Sequence, residues 1–154
     1  MALTALNSST ATATAVPPDG TVVFLIGMRM NRPWKLHHWL PPFVAMPRML
    51  AELRRHPDRG LLGAHIWFGR TTVVLQYWRG MADLMAYAQA GDAEHLPAWR
   101  AFNRRTRAAV GDVGIWHEAY VVRGAESYVV YRDMPAFGLA AAVRQGPASS
   151  PPCG

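Results

Sequence analysis

The sequence predicts an α+β fold in which helices cover one face of an antiparallel β-sheet. Three observations lead to this prediction: the composition, the order of apolar segments along the chain, and the spacing of apolar residues within each segment. Of the 154 residues, 51% are hydrophobic and 17% are charged, which is typical of a globular chain that buries a core. A single domain is expected, because domains commonly hold about 100–200 residues.

Predicted strands and helices follow one another in a recognisable order. They are a strand at 21–30, a helix ending near 56–57, strands at 62–68 and 71–78, helices at 81–90 and 94–110, a strand at 113–122 and a last short strand at 126–132. A small apolar segment at 137–143 follows them. This order is βαββαβ with one extra strand, which is the ferredoxin-like pattern.

The strands are predicted from short runs of β-branched and aromatic residues. Asp19–Gly20 precede the apolar run Thr21–Met30, which has the composition of a strand buried on both faces. Leu62–Phe68 alternates with aromatic residues, and Thr71–Trp78 is the clearest strand in the chain. Between these two, Gly69–Arg70 predict a tight hairpin turn.

The helices are predicted from apolar residues that recur three or four positions apart. Met46, Leu50 and Leu53 show this spacing in the first helix. Pro41–Pro42 can open that helix, although Pro47 would fall in its early turns and delay its start. The two later helices show the same spacing, and a proline in the first turn of the second one is compatible with a helix.

The two ends of the chain are predicted to be disordered. Residues 1–18 are rich in Ala, Thr and Ser, and residues 145–154 are similarly low in complexity. Such segments contain too little apolar surface to offset the entropy of ordering. The domain is therefore expected to span residues 19–144. The N-terminal segment also lacks the basic and continuous apolar regions of a signal peptide, so a cytoplasmic protein is expected.

The second face of the sheet is also predicted to be covered. In the strand at 113–122, Ile115 and His117 belong to one set of alternating residues, while Trp116 and Tyr120 belong to the other. A sheet with apolar residues on both faces suits a dimer interface or a ligand cavity. A two-sheet barrel shared by two copies satisfies both, so we expect a homodimeric α/β barrel.

Charge, cysteine content and motifs exclude several classes of function. The net charge is +6, but the basic residues are dispersed and no nucleic-acid-binding motif occurs, so no nucleic-acid partner is expected. No stretch approaches the roughly 20 apolar residues of a membrane span, and no membrane partner is expected. Cys153 alone cannot form an internal disulfide or a thiolate metal site. Hydrolase, kinase and dinucleotide-binding motifs do not occur in the sequence.

The first candidate for chemistry is His117, within the segment GIWHEAY on a predicted strand. A histidine there can act as a general base or as a haem ligand, although a core histidine held by hydrogen bonds is the commoner case. Its neighbour Glu118 faces the opposite side of the strand and cannot orient it directly. No histidine pair has the spacing of a zinc site, and no metal site is expected.

A second group of candidates lies on the predicted helix at 94–110. His95, Trp99 and Phe102 share one helix face, with Asn103 beside them. Packing on the sheet is the simpler interpretation for the two aromatic residues. Polar groups inside such a stripe need partners, so we expect His95 and Asn103 to assist His117 and the aromatic residues to line a substrate cavity.

Aromatic residues on the strands complete the set of candidates. Trp67, Tyr77, Trp116 and Tyr120 combine apolar rings with polar atoms. They suit a cavity for a hydrophobic, oxygenated substrate, and they equally suit a dimer interface. Arg70, at the predicted hairpin turn, can clamp a carboxylate or a propionate, although a solvated arginine is the more frequent case.

Several sequence blocks together resemble a known family. They are WKLHHWLP, AMPRMLAEL, FGRTTVVLQYW, DAEHLPAWRAFN and GDVGIWHEAYVV, followed by a closing block at Asp133–Leu139. Over about residues 20–140 the chain resembles the small bacterial and fungal proteins grouped with the monooxygenase of fumagillin biosynthesis. This resemblance implies a dimeric α/β barrel that oxygenates a small hydrophobic natural-product intermediate, often a polyketide or terpenoid. It implies no settled catalytic set, so the residues above are candidates only.

Three functions are therefore considered. The first is a monooxygenase without a cofactor, in which His117, helped by His95 and Asn103, forms an enolate or phenolate that reacts with dioxygen. Burial would keep the histidine neutral for this role. The second is a haem enzyme of the same barrel type, with His117 or His95 as axial ligand and Arg70 on a propionate. The third is a non-catalytic protein that binds a hydrophobic ligand.

Overall fold

The structure is a computed structural model, and it describes residues 12–14, 16–89 and 110–145. The strands are β1 (Thr12–Thr14), β2 (Val22–Met30), β3 (Leu61–Trp67), β4 (Thr71–Trp78), β5 (Val113–Val121) and β6 (Val130–Arg132). The helices are α1 (Leu36–Arg55), α2 (Met81–Gln89) and α3 (Gly138–Gln145), with short 3₁₀ turns at Pro57–Arg59 and Gly124–Glu126. Apart from Val110, the helix predicted at 94–110 lies outside the described residues.

Strand β2 lies inside a four-stranded antiparallel sheet. The strand order is β3-β4-β2-β5, and every neighbouring pair is antiparallel. Taken with the helices, β2 to β5 supply the strands of the βαββαβ pattern, and the sheet has the ferredoxin-like arrangement. The predicted α+β fold class is therefore confirmed. None of the described helices is both long and apolar enough to cross a membrane.

The two faces of this sheet are covered differently. Val22, Phe24 and Met28 of β2 point to the side on which α1 and α2 pack, here called the helix face. The alternate residue Val23 points to the other side, here called the open face, which α3 covers in part. Because side chains alternate along each strand and paired residues share a face, the register assigns every strand residue to one face.

The main core lies on the helix face. Its buried members are Val22, Met28, Val74 and Trp78 from the sheet, Met46, Leu50 and Leu53 from α1, and Leu84 and Tyr87 from α2. Gln76 is buried among them, and its Oε1 accepts a hydrogen bond from the Trp78 indole at 2.8 Å. The spacing of the α1 residues is the one that predicted this helix.

Helix α1 begins earlier than its prolines predict. Its first residue is Leu36. Its three prolines, Pro41, Pro42 and Pro47, all lie inside it. Trp39 and Phe43 pack on the core cluster beneath the first turns, and the Trp39 indole donates to the Pro33 carbonyl at 2.9 Å. This packing offsets the hydrogen bonds that the prolines remove, since tertiary contacts supply most helix stability.

Strands β1 and β6 form a separate two-stranded ribbon. Thr14 of β1 is paired with Val130 of β6, so residues 12–14 form one strand of this ribbon. Strand β6 is shorter than predicted, and it pairs with β1 and not with the larger sheet. The Gly124 N–H donates to Asp19 Oδ1 at 2.7 Å, which holds the N-terminal segment beside the turn before β6. Backbone pairing, which composition does not reveal, accounts for the difference.

Helix α3 packs on the open face against β3. Leu139 and Ala142 form a buried cluster with Tyr77. A Cβ atom at Gly63 would lie 2.9 Å from the Ala142 Cβ and 3.2 Å from the Ala142 Cα. The helix therefore approaches the strand as closely as a glycine allows, and Gly63 is required for the observed position of α3.

Asp112 joins the start of β5 to the start of α1. Its side chain is 2% exposed and receives bonds of 2.8 Å from both Arg32 and Lys35, while His38 Nδ1 lies 2.7 Å away. The Lys35 bond lowers the pKa of the Asp112 carboxyl, burial opposes this, and the His38 bond lowers it further. One buried carboxylate therefore holds three basic side chains in place.

Asp112→Asn is expected to lower the thermal unfolding midpoint by about 5 °C or more, because the basic side chains lose their shared anion. Since the native pKa of Asp112 is lowered, its stabilising effect is present above the ordinary aspartate pKa and is lost as the pH falls below it. The difference between wild type and variant, followed by circular dichroism, should therefore shrink in acid. Asp133→Asn, at an exposed position, is the control, and an equal loss in both variants would contradict this role.

Candidate functional site

His117 lies on the helix face of β5. It is paired with Ile26 of β2, and its ring centroid lies 6.2 Å from that of Phe24. The sequence predicts a buried strand here, but His117 is exposed. The reason is that β5 is an edge strand, whereas the core clusters of α1 and α2 are centred on β2 and β4.

The His117 ring makes no hydrogen bond to any residue that the structure describes. Its surroundings on this face are apolar, with Phe24, Ile26 and Ala119 beside it in the register. A general base needs a ring nitrogen that can reach the substrate proton. His117 can therefore exchange a proton with a small molecule that contacts these apolar side chains.

Two other histidines are engaged by the protein itself. His38 Nδ1 lies 2.7 Å from the Asp112 carboxylate. His65 Nε2 accepts the Gly138 N–H at 3.1 Å. His38 and His65 therefore hold parts of the fold in place, whereas His117 makes no hydrogen bond to a described residue.

The predicted aromatic residues form two rows across the open face. One row is Gly63, Tyr77, Val23 and Tyr120, and the other is Trp67, Val73, Gly27 and Trp116. Tyr77 is buried, whereas Tyr120 and Trp67 are exposed. The Tyr120 hydroxyl donates to Glu118 Oε2 at 2.9 Å, and this bond raises the pKa of the tyrosine. The open face is therefore aromatic, with polar atoms at one edge.

Trp116 lies across the backbone of the neighbouring strand. A Cβ atom at Gly27 would overlap the Trp116 indole ring. Only a residue without a side chain leaves room for the ring at this position. Gly27 therefore fixes where Trp116 lies on the open face.

The structure does not bring His117 and these aromatic residues together in one cavity. His117 is on the helix face, while Tyr77, Trp116 and Tyr120 are on the open face, so the sheet itself separates them. This confirms that Glu118 cannot orient His117, because its side chain is also on the open face.

Arg70 is occupied by contacts with the backbone. Its Nε donates to the Met30 carbonyl at 3.3 Å, and its NH2 group donates to the Asn31 carbonyl at 3.4 Å. These bonds join the β3–β4 turn to the loop before α1. An anion at this position would have to compete with them.

Four predicted site residues fall outside the described part of the chain. They are His95, Trp99, Phe102 and Asn103. Their positions relative to His117 therefore stay predictions. Among the described residues, no group of three or more His, Cys, Asp or Glu side chains could hold a metal ion.

Side chains on and beside the open face bind the first backbone N–H groups of α3. Gly138 donates to His65 Nε2, Leu139 to the Tyr77 hydroxyl and Ala140 to the Tyr131 hydroxyl. Burial raises the pKa of Tyr77, and the nearby Tyr131 raises it further, while the Leu139 bond opposes both. These acceptors satisfy donors that a helix start otherwise leaves without partners.

The His65 contact makes the docking of α3 sensitive to pH. Burial lowers the pKa of His65, and the charge of Arg54 lowers it further. Only the neutral ring can accept the Gly138 N–H. The contribution is therefore complete above the ordinary histidine pKa and is lost as the pH falls below it. Tyr77 also contacts α3, and because its pKa is raised, it stays neutral throughout this range.

We expect the free energy of unfolding of the wild type to decrease between about pH 7.5 and about pH 5. That of His65→Gln should decrease less, because glutamine keeps an acceptor but does not titrate. Urea unfolding at both pH values measures the effect. His56→Gln serves as the control, since His56 is exposed at the end of α1. Equal pH dependence in the wild type and His65→Gln would show that His65 does not make the docking of α3 sensitive to pH.

Sequence reasoning missed Asp112 and the part that His65 plays. Asp112 meets Arg32, Lys35 and His38 from 74 to 80 positions away in the chain. No local pattern reveals contacts at such separations. For His65, the signal was its place in an alternating strand, but its partner on α3 was not predictable from that strand.

The sequence was compared with known proteins. A family model described as Monooxygenase af470-like matches residues 21–139, more than half of the chain. A comparison with curated proteins gave no match. One similar solved structure is SnoaB, a cofactor-independent oxygenase from Streptomyces nogalater, with a TM-score of 0.42 and 14% identity over 69% of this chain and 95% of its own. Another is a protein of unknown function from Bacteroides thetaiotaomicron, a possible oxidoreductase, with a TM-score of 0.48 and 9% identity over 68% of this chain and 100% of its own.

Proposed function

The chain belongs to the monooxygenase af470-like family, and on that basis we propose that it is an oxygenase with a small hydrophobic substrate of the polyketide or terpenoid type. Such a substrate suits a site with many apolar side chains and few polar groups. The catalytic base in this proposal is His117, and no cofactor takes part.

The observation that supports the proposal best is the environment of the His117 ring. It has no hydrogen-bond partner among the described residues, and Phe24 and Ala119 give it an apolar surrounding. Histidine changes charge near neutral pH, so it can take up and return a proton within one catalytic cycle. The apolar side chains beside it can contact the rings or chains of the substrate.

The proposed reaction needs only the substrate and dioxygen. His117 takes a proton from an enolisable C–H or a phenol O–H, which leaves an enolate or phenolate. A carbon of this anion bonds to dioxygen, and the imidazolium returns its proton to the outer peroxide oxygen. Loss of water from the hydroperoxide leaves a ketone, so a CH₂ group and O₂ become C=O and H₂O. One oxygen atom enters the product, and no external reductant is needed.

We assign supporting roles to the residues predicted on the segment 94–110. His95 and Asn103 would orient the substrate oxygen beside His117, and Trp99 and Phe102 would form the wall opposite the sheet. Ferredoxin-like folds place a helix over the sheet after the third strand, which supports this assignment. A helix in that position would cover the exposed side of His117 and exclude water from the reacting carbon.

We further propose that a second copy of the chain covers the open face. Trp67 is 46% exposed and Tyr120 is 53% exposed there, and the Trp116 indole lies against Gly27 of β2. Large aromatic surfaces of this kind are enriched at protein interfaces. Trp67, Tyr77, Trp116 and Tyr120 would then line the space between two sheets in a homodimeric barrel, on the side of the sheet away from His117.

A haem enzyme is the alternative, and His117 could serve as its axial ligand. Against this, Arg70 would have to leave the Met30 and Asn31 carbonyls to meet a propionate. The absorption spectrum from about 300 to 700 nm, with and without added haem, separates the two. We expect no Soret band, and a band that shifts in His117→Ala would replace the cofactor-free proposal.

Oxygen uptake tests the proposed activity. The purified protein, with no cofactor added, is mixed with enolisable and phenolic probes such as 2-tetralone and 1-naphthol in an oxygen electrode. We expect uptake that depends on both protein and probe, above the rate of the heat-denatured sample. Binding of the probes without uptake would instead favour a non-catalytic ligand-binding protein.

A further inference from the structure

The outer side of α1 and the adjacent β3–β4 turn expose large apolar side chains. They are Trp34, Leu36, Leu40, Val44 and Phe68, here called the α1 rim, with exposed fractions from 42% for Val44 to 73% for Trp34. The three helical members are four positions apart, so they form one stripe along α1. Phe68 meets the helix through Phe43, at 5.2 Å between ring centroids. The rim is therefore one apolar surface shared by the helix and the turn.

Positive charge surrounds the α1 rim. The segments 20–51 and 59–82, which contain most of α1 and the β3–β4 turn, include no Asp or Glu. Arg32 and Lys35 flank Trp34 in the chain, Arg48 follows Val44 by about one helical turn, and Arg70 follows Phe68 in the β3–β4 turn. The Asp112 carboxylate is held at this end of the domain, but Arg32, Lys35 and His38 all share it. The surface around the rim therefore carries an excess of positive charge.

We propose that the α1 rim binds an anionic lipid surface. Anionic headgroups supply the charge that the rim lacks, and the interface of a bilayer accepts Trp, Phe and Leu side chains. The side chains project from the outside of a helix and from a turn, so they can enter a fluid interface without a shaped partner. Attachment of this kind needs no membrane-spanning helix, and it does not depend on the proposed reaction.

A second copy of the chain fits the rim less well. In a two-fold contact, the same patch lies on both sides of the interface. Two α1 rims would bring Arg32, Arg48 and Arg70 of both copies together, with no free carboxylate from either segment to pair with them. Like charges brought together in this way oppose association, so the charge pattern favours an anionic partner.

Sedimentation with vesicles tests the proposal. The full chain is mixed with large vesicles of phosphatidylcholine, with or without about one third phosphatidylglycerol. We expect at least about tenfold tighter binding to the anionic vesicles, weakened when the salt is raised from about 0.1 M to about 0.5 M. Failure of the wild type to sediment with anionic vesicles would overturn the proposal.

Matched variants identify the surface. Trp34→Ser combined with Leu40→Ser should weaken binding at least about tenfold, while Met85→Ser combined with Tyr128→Ser, at residues 44% and 93% exposed, should not. Likewise Arg48→Glu should weaken binding more than Arg132→Glu, which changes the net charge equally. Equal losses in either pair would overturn the assignment to the rim.

Two further outcomes would replace the lipid by another partner. If the Trp34 and Leu40 double variant lowers the molecular mass in light scattering and leaves vesicle binding unchanged, the rim is an interface between copies. If the wild type does not bind vesicles but is retained on immobilised polyglutamate, the rim binds an acidic protein. Circular dichroism of each variant confirms that the fold is intact before either result is interpreted.

Discussion

His117→Ala is expected to reduce turnover by about 10²–10⁴-fold, the usual effect of removing a general base. The side chain is exposed and has no hydrogen-bond partner among the described residues, so the fold should stay intact. The rate of oxygen uptake per protein chain, with the probe that gives the largest signal, measures the effect. Circular dichroism and the molecular mass in solution should match those of the wild type.

The matched control is His56→Ala, which also removes an exposed histidine, at the end of α1. It should retain the full rate. The steady-state constants add a second readout, since loss of a base should lower kcat and kcat/KM together. Full activity of His117→Ala would exclude this residue as the base.

Gly63→Ala is expected to destabilise the protein by about 1–3 kcal/mol, the usual cost of overpacking. The added Cβ would lie 2.9 Å from the Ala142 Cβ and 3.2 Å from the Ala142 Cα. Because one of these atoms belongs to the backbone of α3, the whole helix must shift, and its bonds to His65 and Tyr131 must lengthen. Urea unfolding measures the loss of stability.

Gly114→Ala is the control for that substitution. It lies on β5 of the same sheet, and a Cβ there would be 3.7 Å from the nearest atom, which is ordinary contact. This variant should be neutral or slightly more stable, since alanine lowers the entropy of the unfolded chain. Limited proteolysis should cut near α3 faster in Gly63→Ala alone. Equal stability of the two variants would show that α3 does not rely on its close approach to Gly63.

The sequence alone predicted the strands of the larger sheet well. Strand β4 begins and ends where its β-branched run does, and β2, β3 and β5 differ from their predicted bounds by no more than one residue at either end. Alternation reports local geometry directly, because one side chain in two faces the core. The same alternation correctly separated His117 from Trp116 and Tyr120, which the register of β5 confirms.

Features that depend on distant contacts were not predictable. Prolines predicted a late start for α1, but the packing of Trp39 and Phe43 extends the helix back to Leu36. The pairing of β1 with β6 joins residues more than a hundred positions apart. Local propensity is overridden in each case by tertiary contacts that no window of sequence contains.

The candidate site was likewise predictable only in its local features. His117 was found from its type and its place on a strand, which are local properties. Its exposure was not predicted, because it depends on which strand lies at the edge of the sheet. The bonds of Arg70 to the loop before α1 were also unpredictable, since they join segments that meet only in the fold.

Labelled dioxygen shows whether the protein is an oxygenase. The protein is freed of metal ions by a chelator, and a probe that supports oxygen uptake is incubated with it under ¹⁸O₂. We expect mass spectrometry to find one labelled oxygen atom in each product molecule and the other in water, with no hydrogen peroxide released. Product without the label, or hydrogen peroxide formed in equal amount to product, would contradict an oxygenase.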